Sequence, residues 1–492
     1  MRRLVPGVVV AFSLMLSLMP AVAVRSEAPP LLALSARGSP LVVGTGGRID
    51  IAVTLRDRAA LRLRVVDFDG RTVRELSSGE REPGTHRASW HGRDAAGDRV
   101  VNGPYRIVAA ASSTLDDSAH RAEAWVTVAD RAVYPRQPGF ITVAVDPGHG
   151  GALPGAVGSD GTREADINLD IGLRLARMLE GAGVNVALTR STDAFVNDPP
   201  QERTGDGIID DDDELAARPD IANRARADLF ISIHNNLAVN PAVGGPSTYY
   251  FDERPFGARS ERLARAVQDE MVAALDGISA DYQPYDHGVL IYPYYVLRNY
   301  DPPRLLRPTQ MPGVLSEGMF LSNERELRYL KRPSVRARMA VAYYDAVATY
   351  LARRSTHVGY ELVAGPAGPI AAGETVTYRV EVRNHGNESL RDWRLHVAAF
   401  PAPEHYIGRI RAGSPVGEAP VPRLQPGEAV ALDVDVTAPG TGGDWVLVFD
   451  ARSRGGDRAA EMGSPVLQVP LTTIGAPAIA PTPAAAAASP QP

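Results

Sequence analysis

The amino-acid sequence predicts an α/β domain built on a mostly parallel sheet and flanked by two all-β sandwich domains. Three observations carry that expectation. Between about 139 and 355, short apolar runs alternate with stretches of helical period, the order in which parallel strands and crossover helices are laid down. At 31–135 and again at 357–472 the runs are short, alternate apolar with polar residues, and are separated by turn-forming clusters, as antiparallel strands are. At 492 residues the chain is also too long for a single core.

Taken in order, residues 1–23 read as a secretory signal peptide. Arg2 and Arg3 form a basic start, an apolar run extends from Leu4 to about Met19, and Ala21-Val22-Ala23 has the small-x-small form of a cleavage site. A retained membrane anchor is the alternative, disfavoured by the shortness of the run and by Pro6 and Pro20. Segment 31–135 carries RIDIAVTL and LRLRVVDF between turn clusters such as DFDGR and DAAGDR. In segment 139–355 the strand candidates are ITVAV, VNVALT (184–189), LFISI (229–233), STYYF (247–251) and GVLS (313–316). Helices are expected over Asp166–Glu180 and Ser260–Leu275, whose apolar residues fall on one face, from near Asn323 with Glu326 placed for a capping box, and over Val335–Leu351. The β pattern returns in 357–472 (TVTYRVEVRN, WRLHVAAF, AVALDVDVT, DWVLVFDA). The Pro- and Ala-rich tail, 473–492, is expected to be disordered.

A net charge of −6 with no basic block argues against nucleic acid as a partner. The absence of cysteine excludes disulfides, a cysteine-linked lipid anchor and a cysteine nucleophile. After the first residues no segment is apolar enough to span a bilayer.

The chemistry gathers at strand ends. His149 follows ITVAV in the stretch ITVAVDPGHGG, and His234 follows LFISI. In open α/β sheets, ligands bind beyond the carboxyl ends of the strands, so both histidines are expected on one edge. GVLS ends at Glu317 on that edge, in an apolar context, and Glu164 lies just before the helix from Asp166. A lone histidine at a strand end is commonly a turn or core residue. Two histidines and two glutamates from different strand ends suit a catalytic zinc site, in which three protein ligands leave a position for water and a carboxylate outside the shell takes the proton. The glycines around His149 would let the imidazole and a substrate come close to the backbone.

VAVDPGHGG, Glu164 before DINL, LTR (188–190), LAAR and AN (215–223), LFISIHNN and VLSEGMFLSN resemble, in order, the motifs of zinc-dependent N-acetylmuramoyl-L-alanine amidases of the amidase_3 family. The resemblance covers roughly 140 to 352. It implies a three-layer α/β/α sandwich, Zn2+ held by His149, Glu164 and His234, and Glu317 as the catalytic glutamate. It also implies hydrolysis of the amide between the lactyl group of muramic acid and L-alanine, with peptidoglycan or muropeptides as substrate, in a secreted, extracellular, cell-wall or periplasmic protein. Rival functions are a zinc carboxypeptidase-like peptidase and a catalytically inactive wall-binding or structural protein; a serine hydrolase lacks its G-x-S-x-G elbow.

The chain departs from the family pattern at SEGMF around Glu317 and at two inserts, FVNDPPQERTGDGIIDDDDE and DPPRLLRPTQM. The acidic run 206–214 reads as a solvated loop. Calcium is the alternative, although the spacing is not that of an EF-hand. His287 is open between substrate contact and no role. Tyr282, Tyr285, Tyr292, Tyr294 and Tyr295 are open between a groove lining and loop packing. The first β segment, with Trp90, Gly92, Gly97, Gly103 and Tyr105, looks like the Ig-like module of flagellar hook-capping proteins, and 357–472 resembles secreted Ig-like modules in general. Both are read as spacers or as attachments to a wall or surface.

Overall fold

The computed structural model describes residues 31–475 apart from 116–117, 134–140, 255, 300, 302–303, 353–355, 403–414, 461 and 463. The expected signal peptide and the tail beyond Gly475 therefore lie outside the described residues. Among the described residues no helix is long and apolar enough to cross a membrane.

The central domain is built on a six-stranded sheet in the order Asn185–Leu188, Thr142–Pro147, Leu229–Asn236, Gly313–Phe320, Ser247–Tyr250, Val289–Ile291. Neighbours pair in parallel except Ser247–Tyr250 against Gly313–Phe320. The runs Val143–Val145 and Leu229–Ile233 are buried on both faces, which is why they read as continuous rather than alternating apolar runs. Among the described residues five helices complete the domain: α1 (Glu164–Gly181), α2 (Asp211–Arg224), α3 (Gly257–Asp276), α4 (Glu324–Leu330) and α5 (Pro333–Ala352). Ile171, Leu175, Leu263, Val267, Met339 and Tyr343 of α1, α3 and α5 share one core with Val143, Val145, Ile231 and Val314. The opposite face of the sheet presents Ala144, Phe230 and Leu315 to Ala222 of α2 and to Val296, Leu297 and Met311. The result is three layers, helices on both faces of a mostly parallel sheet.

Helix ends follow local chemistry. Gly183, at φ 83°, ends α1 by directing its own N–H to Glu180 O and that of Val184 to Leu179 O, 3.0 Å each. Two local expectations need correction. The acidic run is not a solvated loop throughout, because Asp210 caps α2 and Asp211–Glu214 form its first turn, where carboxylates complement the helix dipole. Periodicity missed this helix because it buries a polar stripe, Asp213, Glu214, Arg218 and Asp220, and contains Pro219. Asn323 caps α4 as expected, but Glu326 does not close a capping box on it. The Glu326 carboxylate instead accepts from Gly245 N (2.7 Å), Phe320 N (2.6 Å) and Tyr282 Oη (2.5 Å) and so clamps the 244–246 loop.

The N-terminal segment forms a three-stranded and a five-stranded sheet over one core, with the Trp90 ring packed at a tilt against Tyr105, 5.2 Å between centroids. In the C-terminal segment eight strands are hydrogen-bonded in one continuous order. The three strands up to Ala429–Thr437 and the five beyond them meet at the single register pair Gly417↔Val436 and share one core, so the expected sandwich is a folded-over sheet. Its last strand runs to Ile474.

The N-terminal module is fused to the central domain. Ala129 and Val133 belong to the core under α1 and α5, Thr127 Oγ1 donates to Met178 O at 2.7 Å, and Arg174 donates to Asp69 at 2.7 Å while lying over the Phe68 ring. At this junction Asp345 of α5 is buried with Oδ1 lacking a partner, near Arg131 and Glu270. Burial, reinforced by the Glu270 charge and only partly opposed by Arg131, pushes its carboxyl up to about 7. The folded chain therefore keeps a proton that the unfolded chain gives up near pH 4, and stability falls as pH rises between those values. Asp345→Asn should stabilise the chain by on the order of 1–3 kcal/mol at pH 8 and change it little at pH 4. Urea unfolding of the two chains at both pH values checks this, and equal effects at the two would refute it.

Candidate metal centre

The parallel register brings the three expected strand ends level. His234 lies opposite Glu317 on the neighbouring strand, and Ile233 lies opposite Pro147, two residues before His149. His149, Glu164 and His234 each direct one ligand atom to a common point, all within 4.8 Å of one another. His149 Nε2 lies 3.1 Å from Glu164 Oε2, and His234 Nδ1 lies 3.0 Å from Glu164 Oε1. The two imidazoles are nearly perpendicular, 4.8 Å between centroids. Two imidazoles and one carboxylate, partly open to solvent on the histidine side, form a donor set suited to zinc.

The backbone is shaped for this convergence. His149 itself takes a left-handed φ of 60°, uncommon for a residue with a side chain and held here by its surroundings. A side-chain carbon on Gly148 would overlap the His234 ring, and one on Gly155 would overlap both Glu164 and His149. The glycines thus make room for the ligands themselves.

Glu164 opens α1, and its 3% exposed carboxylate is fully engaged. Oε1 accepts from Asn168 Nδ2 (2.9 Å) and Asn235 N (3.1 Å), and Oε2 accepts from Ala156 N (2.8 Å). Burial alone would raise this carboxyl, but hydrogen bonds and charge from His149 and His234 outweigh it and hold the group below the usual carboxylate range. Glu317 stands in the opposite situation. It is 8% exposed, its Oε2 makes no hydrogen bond, and burial, then the Glu164 charge, raises its carboxyl well above the usual range. The two carboxylates are thus driven apart in proton affinity.

Below the cluster lies a layer of charged residues from the stretches VAVDPGHGG, LTR and LAAR. Asp146 accepts from Thr189 Oγ1 (2.7 Å), Ser232 Oγ (2.7 Å) and Arg218 Nη1 (2.8 Å). Arg218 also donates to His149 O (3.0 Å) and Glu214 (3.0 Å). Arg190 donates to Pro147 O (2.8 Å), Gly148 O (2.9 Å) and Ala165 O (2.7 Å). The sequence signal for Asp146, Arg190 and Arg218 is their place in VAVDPGHGG, LTR and LAAR, charged residues amid apolar ones. The two inserts meet on the same helix, where Asp220 of α2 receives Arg203 from the first and Arg307 from the second.

His287 does not join the cluster; its Nε2 lies 3.0 Å from Gly244 O and its ring against Tyr285. Tyr282 and Tyr295 are buried and bonded to Glu326 and Arg304 O, so both pack the structure. Tyr292 and Tyr294 group with Tyr249, and Tyr294 feels the charge of Glu317.

Residues 143–349 match the Amidase_3 family, described as N-acetylmuramoyl-L-alanine amidase, and residues 39–114 match the FlgD Ig-like domain. The chain is 32% identical over 209 residues to N-acetylmuramoyl-L-alanine amidase LytC of Bacillus subtilis, a match covering 42% of this chain and 35% of that protein's length. It is 32% identical over 209 residues to protein YqiI of Bacillus subtilis, covering 42% of this chain and 84% of that one. It is 31% identical to N-acetylmuramoyl-L-alanine amidase AmiC2 of Nostoc punctiforme, a solved structure, over 44% of this chain and 99% of that one, with a TM-score of 0.35.

Gly148→Ala tests the packing of the cluster. The methyl group should displace the His234 imidazole and weaken binding of added Zn2+ at least about tenfold, with the melting temperature little changed. A titration followed through the imidazole proton signals of His149 and His234 reads this out, and an unaltered affinity would contradict the close fit.

Proposed function

Because this chain belongs to the N-acetylmuramoyl-L-alanine amidase family, we propose that its central domain binds Zn2+ through His149, Glu164 and His234 and hydrolyses the amide joining the lactyl group of muramic acid to L-alanine in peptidoglycan. One observation carries the proposal: three ligand atoms within 4.8 Å of one another, with Glu317 in register beside His234. Zinc held there would supply Lewis-acid chemistry, acidifying a water and stabilising charge on the carbonyl oxygen.

The protein's own residues divide the remaining work. Glu317 stands outside the ligand set on a rigid, buried strand. It takes the proton of the attacking water and passes it to the leaving alanine nitrogen. Its low exposure keeps it from being solvated away from the reacting atoms. Glu164 cannot share that role, because its oxygens are committed to His149, His234 and three N–H donors. Asn168 and Asn235, joined to each other at 2.9 Å, hold Glu164 from behind. The exposed Tyr292, with Tyr294 and Tyr249, forms an aromatic wall beside Glu317 on which substrate can lie. Secretion to the wall or periplasm fits the expected leader, and the β modules act as spacers or wall attachments.

Digestion of peptidoglycan, with products resolved by chromatography and mass spectrometry, tests the reaction. Release of intact stem peptides is expected, whereas shortened stems would show a peptidase. Variants separate the roles. Glu317→Gln should keep zinc at the His149 cluster and lose at least about 10²-fold in rate. His234→Ala should lose both zinc from that cluster and activity. Zinc lost in Glu317→Gln but kept in His234→Ala would overturn the assignment.

A further inference from the structure

A second group of metal-ligating side chains lies far from the first in the fold. Asp228, His357 and His385 each offer one donor atom, all within 4.8 Å of one another. Asp228 precedes strand Leu229–Asn236, at the edge of the sheet opposite His234. His357 precedes the first strand of the C-terminal module, Val358–Ala364, and His385 follows Thr375–Asn384. The group therefore sits in the joint between the central domain and that module.

The surroundings prepare each residue. Asp228 Oδ2 accepts from Thr142 N at 2.7 Å, and its own N–H donates to Thr142 O at 2.7 Å. This leaves Oδ1 facing His357 Nε2, which touches it. His385 N donates to His357 O at 2.8 Å, so the backbone sets the two histidines side by side, their rings 5.6 Å apart. A side-chain carbon at Gly359 would come within 2.8 Å of the His385 ring, so glycine there admits the imidazole. His357 is 0% exposed, and its Nδ1 has no hydrogen-bond partner. A cavity of about 420 Å³ opens beside the group, with Asp228, His385, Glu361 and Glu381 in its wall.

We infer that Asp228, His357 and His385 form a second metal site, which takes a divalent transition cation such as Zn2+ and ties the C-terminal module to the central domain. Asp228 and His357 are buried and His385 is half-buried; buried imidazole and carboxylate groups are costly unless their polar atoms are engaged, and a shared cation would engage one donor atom from each of the three. Two imidazoles and a carboxylate select a transition ion over calcium or magnesium, which prefer oxygen. His385, admitted beside them by Gly359, supplies the third donor that a plain Asp–His contact lacks. Three protein ligands leave a coordination position for water from the cavity, whose wall carries Glu361 and the ion pair of Glu381 with Arg383. Arg226 in the same wall is turned to Tyr360 O at 2.7 Å.

The inference is independent of the catalytic assignment and can be tested in its absence. In the full chain carrying His149→Ala and His234→Ala, equilibrium dialysis against Zn2+ should leave one ion per chain, and Co2+ in its place should give the absorption of a low-coordinate nitrogen and oxygen site. Adding His385→Ala, or separately His385→Gln as the more conservative change at this half-buried position, should weaken that binding at least about 100-fold. Zn2+ should also raise the melting temperature of the His149→Ala/His234→Ala chain, reversed by a chelator, and should fail to do so once His385 is replaced. No ion bound to the chain lacking the first cluster, or an ion bound equally well with either His385 variant, would overturn the inference.

Discussion

The buried carboxylate of Glu164 is the constraint on which the rest of the site depends. Such a group is tolerable out of water only when its oxygens are fully engaged. Here the partners come from four places in the chain: the loop at Ala156, the first turns of α1 through Asn168, and the strand ends bearing His149 and His234 with Asn235. Satisfying one residue thus requires the loop, the helix and two strands to be in place together. The same bonds explain why two glutamates of one edge behave differently. Glu164 is surrounded by donors and stays ionised, whereas Glu317 has a buried oxygen without a partner and the Glu164 charge nearby, and holds its proton more tightly.

A second buried carboxylate, Asp146, supports the first from below. Arg218 reaches across from α2 to neutralise it and continues to His149 O, so the unusual backbone of His149 is held by an arginine whose own charge is paired twice. Removing one partner of such a pair leaves an uncompensated charge, which costs about 3–5 kcal/mol. This is why α2 buries a charged stripe where the other helices bury apolar ones. The two inserts take advantage of the same helix, since Arg203 and Arg307 meet on Asp220 and make the inserts one surface rather than two.

Among the described residues, both β modules meet the central domain away from His149, Glu164 and His234. The N-terminal module packs on the C-terminal end of α1 and on α5, and the C-terminal module meets the sheet where Asp228 and Thr142 begin their strands. Because α1 runs from the His149 edge to the opposite edge, the described contacts of the N-terminal module lie towards the far edge of the sheet, as do those made by Asp228 and Thr142.

Much of this was legible in the sequence. The strand candidates ITVAV, LFISI and GVLS, the α/β order and the meeting of His149, His234, Glu164 and Glu317 at one edge follow from apolar runs and from the residues that end them, because burial on both faces of a parallel strand leaves a continuous mark in the chain. Other features were hidden. Helix α2 carries no apolar stripe, Glu326 bonds to a loop some eighty residues away instead of to its own cap, and Asp228 meets His357 and His385 only because two domains close on each other. Sequence by itself determined which residues could be buried and which could carry a proton or a metal, since those are properties of the side chains. Only the tertiary structure decided which carboxylate is bonded on every side and which is left alone, because proton affinity depends on the partners that folding brings within about 3 Å, and no local pattern encodes them.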